Sequence, residues 1–420
     1  MASGASARPQ GLESVEITLG PILLEVALAV LAVPVAIVSG YLGLMALSSW
    51  RMVVPRAPSP PSLKFDIVIP AHDESQGIAE TVKSALAIAY PPALRRVVVV
   101  ADNCTDDTAA RARDAGATVL ERTDLERRGK GYALAHAFEH SLRDGFADAV
   151  VVVDADTVVS PNLLDAYGAR LAAGEVAVQA HYGVRNPNAS WRTRLMRIAL
   201  AMFHQVRSTA RERWGVSCGL RGNGMCFRSS LLREVPHDAF SLVEDLEYGI
   251  RLGRRGHRVA YAFETDVLGE MVSGEKASRS QRHRWEHGRA QMARSHGWPL
   301  LRDGLSKQSG LLFDLGMDVL VPPLSRVGVA VLGGACVLSL LVELTGVGTW
   351  ALWVFSLAAL GLWLYAFAGW LHSGTGIRGL FDLALAPAYV AWKVVLVFQR
   401  PAAKKSDEWV RTTREGEPKP

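Results

Sequence analysis

The chain has 420 residues, of which 49% are hydrophobic and 21% charged, with a formal net charge of +5. That is enough for one catalytic domain of ordinary size plus a membrane portion, and too apolar for a wholly soluble protein. The basic balance suits anionic lipid or an anionic substrate; zinc-finger spacing, an RNP signature and long Lys/Arg blocks are all missing, so nucleic acid is not expected as a partner.

Residues 1–20 carry Glu13 and Glu16 and no apolar core, and read as a tail. The apolar run 22–48 reaches about 40 Å as a helix, too long for the core of a signal peptide, and predicts a retained transmembrane segment at 21–50. Arg51 and Arg56 follow and place the next residues on the cytoplasmic side. The Pro-rich stretch 55–61 makes a stiff linker within 51–63. A cytosolic domain is expected over 64–300. It opens with strands at Phe65–Pro70, Val97–Ala101, Thr118–Glu121 and Ala149–Asp154, alternating with helices at Gln76–Tyr90, Thr105–Ala115 and Lys130–Arg143. Val- and Ile-rich runs without alternation suit a mostly parallel sheet covered on both faces, and the repetition argues for a doubly wound α/β fold. Ligands in such sheets sit at the carboxyl ends of the strands. From about 190 to 300 longer amphipathic helices rich in Arg and Trp are expected. A second membrane region, 301–400, has apolar runs at 327–345, 349–371 and 379–398. The last contains Asp382, Pro387 and Lys393, so two spans plus an interfacial or re-entrant segment are expected, with a third span as the alternative. The tail 401–420 carries Lys404, Lys405, Arg411 and Arg414, which favours the inside. Cys104, Cys218, Cys226 and Cys336 form no CxxC pair and read as reduced thiols.

Polar clusters follow the expected strands. Asp154 and Asp156 stand one residue apart at the mouth of a buried strand, where two carboxylates can share Mg²⁺ or Mn²⁺ with diphosphate oxygens. Asp102, in DNCTD, lies in a strand-to-helix turn and can reach a base or ribose; the same segment would also cap a helix. Glu244 and Asp245 begin a helix, so that one can enter a cleft as general base while both favour the helix dipole. Gln281, Arg284 and Trp285 share one helical face, suited to phosphate and to a sugar ring, or to lipid headgroups. Gly129–Lys130–Gly131 puts an amine at a helix start, and Gly222–Asn223–Gly224 is a turn that lets a ligand approach backbone.

In this order, IPAHDE, DNCTD, GKGYAL, DAD, GNG, VED and QRHRW resemble the family-2 inverting glycosyltransferases of GT-A fold. The likeness is to the membrane-integrated branch with cellulose, hyaluronan and poly-N-acetylglucosamine synthases and ceramide-glucosyltransferase-like enzymes, and it covers about residues 64–290. The resemblance implies a Rossmann-like nucleotide-sugar domain in which Pro70, Glu74 and Asp102 contact the nucleotide and Lys130 lies near the donor. It implies that Asp154 and Asp156 hold the metal, that Asp245 is the base beside Glu244, and that Gln281, Arg284 and Trp285 flank the diphosphate and the acceptor. Gly222–Asn223–Gly224 departs from the family's more usual GTG, and DNCTD from DDGSTD. The implied activity is transfer from a nucleotide-diphosphate sugar, with uridine the expected base, to a polysaccharide or lipid-linked acceptor at a cell (inner or plasma) membrane. Single transfer to a glycolipid, and a binding protein without turnover, are the competing expectations.

Overall fold

The computed structural model describes residues 10–50, 52–188, 190–270 and 285–384. The expected tail 401–420 and most of the run 379–398 lie outside them. The described residues fall into two compact units, one within 10–44 and 322–365, the other within 45–321 and 366–384.

In the larger unit eight strands form one sheet: β1 (Phe65–Ala71), β2 (Arg95–Asp102), β3 (Thr118–Arg122), β4 (Ala149–Val152), β5 (Thr157–Val159), β6 (Ala177–Val184), β7 (Met225–Arg228) and β8 (Ala260–Gly269). The order is β3-β2-β1-β4-β7-β6-β8-β5. β3, β2, β1 and β4 run parallel, as do β6 and β8, while β7 and β5 are antiparallel to their neighbours. Side chains alternate between faces along a strand. Accordingly Ile67, Ile69, Val99 and Val151 join one core, whereas Val68, Val100, Val150 and Val152 join another. Helices Ile78–Leu86 and Leu163–Ala172 cover the first face with Ile78, Val82, Leu164 and Tyr167; Lys130–Asp144 and Glu244–Arg254 cover the second with Leu134, Phe138, Tyr248 and Leu252. This two-sided burial is why the Val runs lack alternation.

The expected helical stretch 190–300 needs correction: it also contains β7 and all of β8. It holds short helices at Trp191–Leu200, Arg207–Arg213 and Ser229–Glu234 as well. Helix Gly376–Ala384 exposes Ile377 and Phe381 and is pinned by an Arg194 Nε to Asp382 Oδ2 ion pair of 2.5 Å.

Among the described residues three helices are long and apolar enough to cross a membrane: Gly20–Ser48, Leu324–Thr345 and Thr349–Ser373. In the smaller unit small residues bring two of them close. A Cβ on Gly43 would lie 3.0 Å from the Gly361 Cα, and one on Gly361 would lie 2.7 Å from the Ser39 carbonyl. Within Gly20–Ser48, the Glu25 carboxylate accepts the Gly348 and Thr349 N–H groups at 2.6 and 3.0 Å, satisfying amides at the start of Thr349–Ser373.

Candidate active site

The site assembles because β7 enters the sheet in reverse beside β4. Met225 pairs with Val152, so the turn before β7 falls beside the carboxyl end of β4. The Gly224 N–H donates to the Val152 carbonyl at 2.9 Å, and the Asp154 N–H donates to Asn223 Oδ1 at 3.1 Å. Asn223 is fully buried; its Nδ2 donates to Thr157 Oγ1 at 2.8 Å, and Gln179 Nε2 donates to its carbonyl at 2.7 Å. One amide side chain thus fixes both ends of the Asp154–Asp156 loop.

Gly224 carries φ +70, a backbone that disfavours side chains, and a Cβ there would lie 2.6 Å from Val267 Cγ2 and 3.2 Å from the Ala180 Cβ. Gly224→Ala is therefore expected to cost about 1–3 kcal/mol of stability. The midpoint of denaturant unfolding in detergent measures this, and an unchanged midpoint would contradict the packing described.

Lys130 opens the helix Lys130–Asp144, and Gly131 leaves no room for a Cβ against the Ala239 carbonyl. Close packing there holds the lysine in place. Its Nζ donates to Asp154 Oδ1 at 2.5 Å and to the Gly222 carbonyl at 2.6 Å, and lies 3.7 Å from Glu244 Oε1. Burial works against the ammonium charge, but Asp154, Glu244 and Asp245 together hold its pKa above the ordinary value. Asp245 Oδ2 lies 3.5 Å from where a Cβ on Gly222 would stand. Lys130, Asp154, Gly222, Asn223, Glu244 and Asp245 therefore come together.

The two acids of the pair differ. Glu244 is buried, and burial pushes its carboxyl up to about 7 against the opposing pull of Lys130. Asp245 is half-buried, and burial raises it too, while Lys130 and Arg221 draw it down. Their helix carries no side-chain cap; Glu247 Oε2 accepts the Ser241 N–H at 3.1 Å in the loop before it, and a hydrogen bond from the Leu246 backbone also draws Asp245 down.

Asp154 and Asp156 offer oxygen donors of the kind Mg²⁺ and Mn²⁺ prefer, and the Asp154 side chain is 30% exposed. With Lys130 on one oxygen of Asp154, the pair can supply only part of a coordination sphere. A diphosphate and water would complete it, so the residues fit such an ion.

Asp102 stands on the same carboxyl edge as Asp154 with β1 between them, roughly 10 Å away at the usual strand spacing. It is fully buried and accepts a 2.6 Å bond from Arg122 Nη1, while its Oδ2 finds no hydrogen-bond partner among the described residues. Contact with the Lys130 cluster is thus not part of its role here. Pro70 is buried in β1. Glu74 spends its backbone locally: its N–H donates to Thr108 Oγ1 at 2.8 Å and its carbonyl accepts from Gly77 and Ile78. Asp73, Cys104 and Asp106 lie close enough to share a cation. However, Asp73 accepts the Thr105 N–H at 2.6 Å and Asp106 those of Thr108 and Ser75, which braces the loops. Burial pushes the Cys104 thiol up to about 11. Gln281 and Arg284 lie outside the described residues; Trp285 is the first described residue of the helical run 285–292 and is 38% exposed.

Sequence reasoning missed Tyr182 and Arg221. Burial pushes the Tyr182 hydroxyl well above its ordinary value, helped by the Asp156 and Asp154 charges, while a hydrogen bond to Asn223 opposes the shift. Its only signal was an aromatic within a strand that had itself gone unread.

Residues 60–288 match the family model described as glycosyltransferase like family 2, more than half of the chain. A probable glucomannan 4-beta-mannosyltransferase 3 from Oryza sativa subsp. japonica is 26% identical over 251 residues, 56% of this chain and 44% of that protein. The UDP-forming cellulose synthase catalytic subunit of Komagataeibacter sucrofermentans is 26% identical over 248 residues, 57% of this chain and 32% of that subunit. The chain thus spans less than half the length of either relative. The solved mannosyltransferase PcManGT from Pyrobaculum calidifontis, in complex with GDP-Man and Mn²⁺, superposes with a TM-score of 0.50 at 18% identity, covering 86% of this chain and 99% of that one. That likeness shows the GT-A fold.

Proposed function

We propose that this chain, which belongs to glycosyltransferase-like family 2, transfers a sugar from a nucleotide-diphosphate sugar to a polysaccharide or lipid-linked acceptor with inversion. The observation that carries this reading is the convergence of Asp154, Glu244 and Asp245 on Lys130 at the carboxyl edge of the sheet. Asp245, the more open acid of the pair, takes the proton from the acceptor hydroxyl as that oxygen attacks the anomeric carbon. The nucleoside diphosphate departs in the same displacement, so an α-linked donor gives a β-linked product. Glu244 and Asp154 hold the Lys130 ammonium, which in turn keeps the Asp154 loop facing the cleft. When bound by Asp154 and Asp156, Mg²⁺ or Mn²⁺ would neutralise charge on the leaving diphosphate.

Three apolar helices support a membrane enzyme, and Arg51 and Arg56 beside the first favour a cytosolic catalytic domain at the inner or plasma membrane. A donor screen tests the reading: membranes bearing the protein are supplied with UDP- and GDP-sugars, and nucleoside-diphosphate release and product length are measured. Metal-dependent release with one donor supports transfer; donor binding without release in every arm rejects it in favour of a binding protein.

The raised carboxyls have a pH consequence. A general base acts deprotonated, so activity is lost as pH falls through its pKa in the folded protein. Since burial raises both acids, and Glu244 to about 7, the acid limb of the rate profile is expected well above the ordinary carboxylate range of about 4. A pH–rate profile with its acid limb near 4 would contradict this.

A further inference from the structure

Beside the acids lies a largely buried group of arginines that the proposed transfer does not use. Arg207 and Arg211 come from helix Arg207–Arg213, Arg289 from helix 285–292, and Arg221 from the turn directly before Gly222. Three of the guanidinium carbons gather on one ring, lying 4.3 Å (Arg221), 4.9 Å (Arg207) and 5.1 Å (Arg289) from the Phe203 centroid. Two carboxylates of helix Gly310–Leu320 face them. Asp318 takes Arg207 at 3.0 Å, Arg211 at 3.3 Å and Arg289 at 3.4 Å, and Asp314 takes Arg211 at 2.6 Å.

Four cations thus share two anions. Arg221 is the member that no carboxylate bridges among the described residues. It is 9% exposed, its Nη2 donates to the Cys218 carbonyl at 2.9 Å, and its Nε has no hydrogen-bond partner among the described residues. If holding the helices together were the whole purpose, the Arg207, Arg211 and Arg289 bridges would serve without a fourth guanidinium. An uncompensated buried charge is costly unless an anion completes it. The guanidinium fork matches phosphate oxygens, and phenyl rings stack well beneath it. The position is also specific. Arg221 precedes the glycine beside Asp245 Oδ2, and its positive charge is felt at that carboxyl.

We infer that Arg221, with Arg289 and Phe203, forms a binding site for a phosphate group carried by the acceptor, next to Asp245. Assigning the anion to the acceptor rests on the proposed transfer; binding of phosphate by the cluster does not.

The test uses the full chain in neutral detergent, with geranyl phosphate as probe and geraniol and inorganic phosphate as controls. Binding is read as the shift in thermal unfolding midpoint. Geranyl phosphate should raise the midpoint and geraniol should not. Arg221→Gln should raise the geranyl phosphate concentration needed by about tenfold or more, with Arg221→Lys between the two. Nucleotide-sugar binding by Arg221→Gln should stay as in the parent chain, showing an intact donor site. Should Arg221→Gln not fold, Arg221→Lys and the geraniol comparison still decide. Equal shifts from geraniol and geranyl phosphate, or an unaltered response in Arg221→Gln and Arg221→Lys, overturn the inference. Equal potency of inorganic phosphate overturns the acceptor assignment, and competition by UDP overturns it in favour of the donor's diphosphate. A chain that binds geranyl phosphate through Arg221 but releases no nucleoside diphosphate in the donor screen would sink the transferase reading alone.

Discussion

Asp245→Asn is expected to lower sugar transfer by about 10³-fold or more while leaving nucleotide-sugar affinity within about twofold. The amide keeps the size and shape of the carboxylate but cannot take a proton. Asp245 makes no bridge within 4.0 Å to Lys130, whose ammonium is held by Asp154 and Glu244, so its loss spares that anchor. Removing a negative charge beside the diphosphate does not weaken donor binding. The effect should therefore fall on kcat. Glu244→Gln should behave otherwise, because it removes the second anion from Lys130 and disturbs the donor end as well. Measuring kcat, KM and donor affinity on both variants separates these cases; near-normal kcat in Asp245→Asn would reject the base assignment.

Lys130→Met should lose transfer and also destabilise the domain by about 3–5 kcal/mol at neutral pH, the usual cost of breaking a buried ion pair. Without the ammonium, Asp154, Glu244 and Asp245 face one another without their shared counterion. The carboxyls of Glu244 and Asp245, already raised by burial, then rise further, whereas in the unfolded chain these two titrate near 4. A carboxyl raised in the folded state binds more protons folded than unfolded between those values, so stability falls as pH climbs through that window. The variant should recover toward the parent's stability near pH 5 and lose most near pH 8. Denaturant unfolding at several pH values checks this, and a loss independent of pH would show that Lys130 acts through packing alone.

The sheet's first half was legible because its strands need nothing but apolar bulk. The FDIVIP, VVVV and AVVV runs are buried on both faces, and that burial leaves an unbroken Val/Ile signal. The second half was obscured by the polar residues that build the site. In β6, Gln179 interrupts the apolar pattern because it is spent on the Asn223 carbonyl and on the Arg221 N–H at 2.9 Å, and His181 because it meets the Tyr261 hydroxyl at 3.0 Å. In β8, Glu264 pairs with Arg170. β7 has only four residues. For the site, Lys130, Asp154 and Asp245 stood out as polar residues at strand and helix ends. Arg221 did not, since nothing local marks an arginine whose neighbours include residues 203, 211, 289 and 318. Asp102 shows the opposite difficulty. It is an acid at the end of a strand like Asp154, but its carboxylate is committed to Arg122, twenty residues further on.

The central claim is that the Asp154–Asp156 loop and Asp245 act on the same donor. Crystals or frozen grids of the full chain with Mn²⁺ and its preferred nucleotide sugar would test it most directly. The account predicts manganese on Asp154 or Asp156, with the anomeric carbon open to attack from the Asp245 side. A nucleotide sugar seated elsewhere, with Asp245 facing away from its sugar, would contradict it.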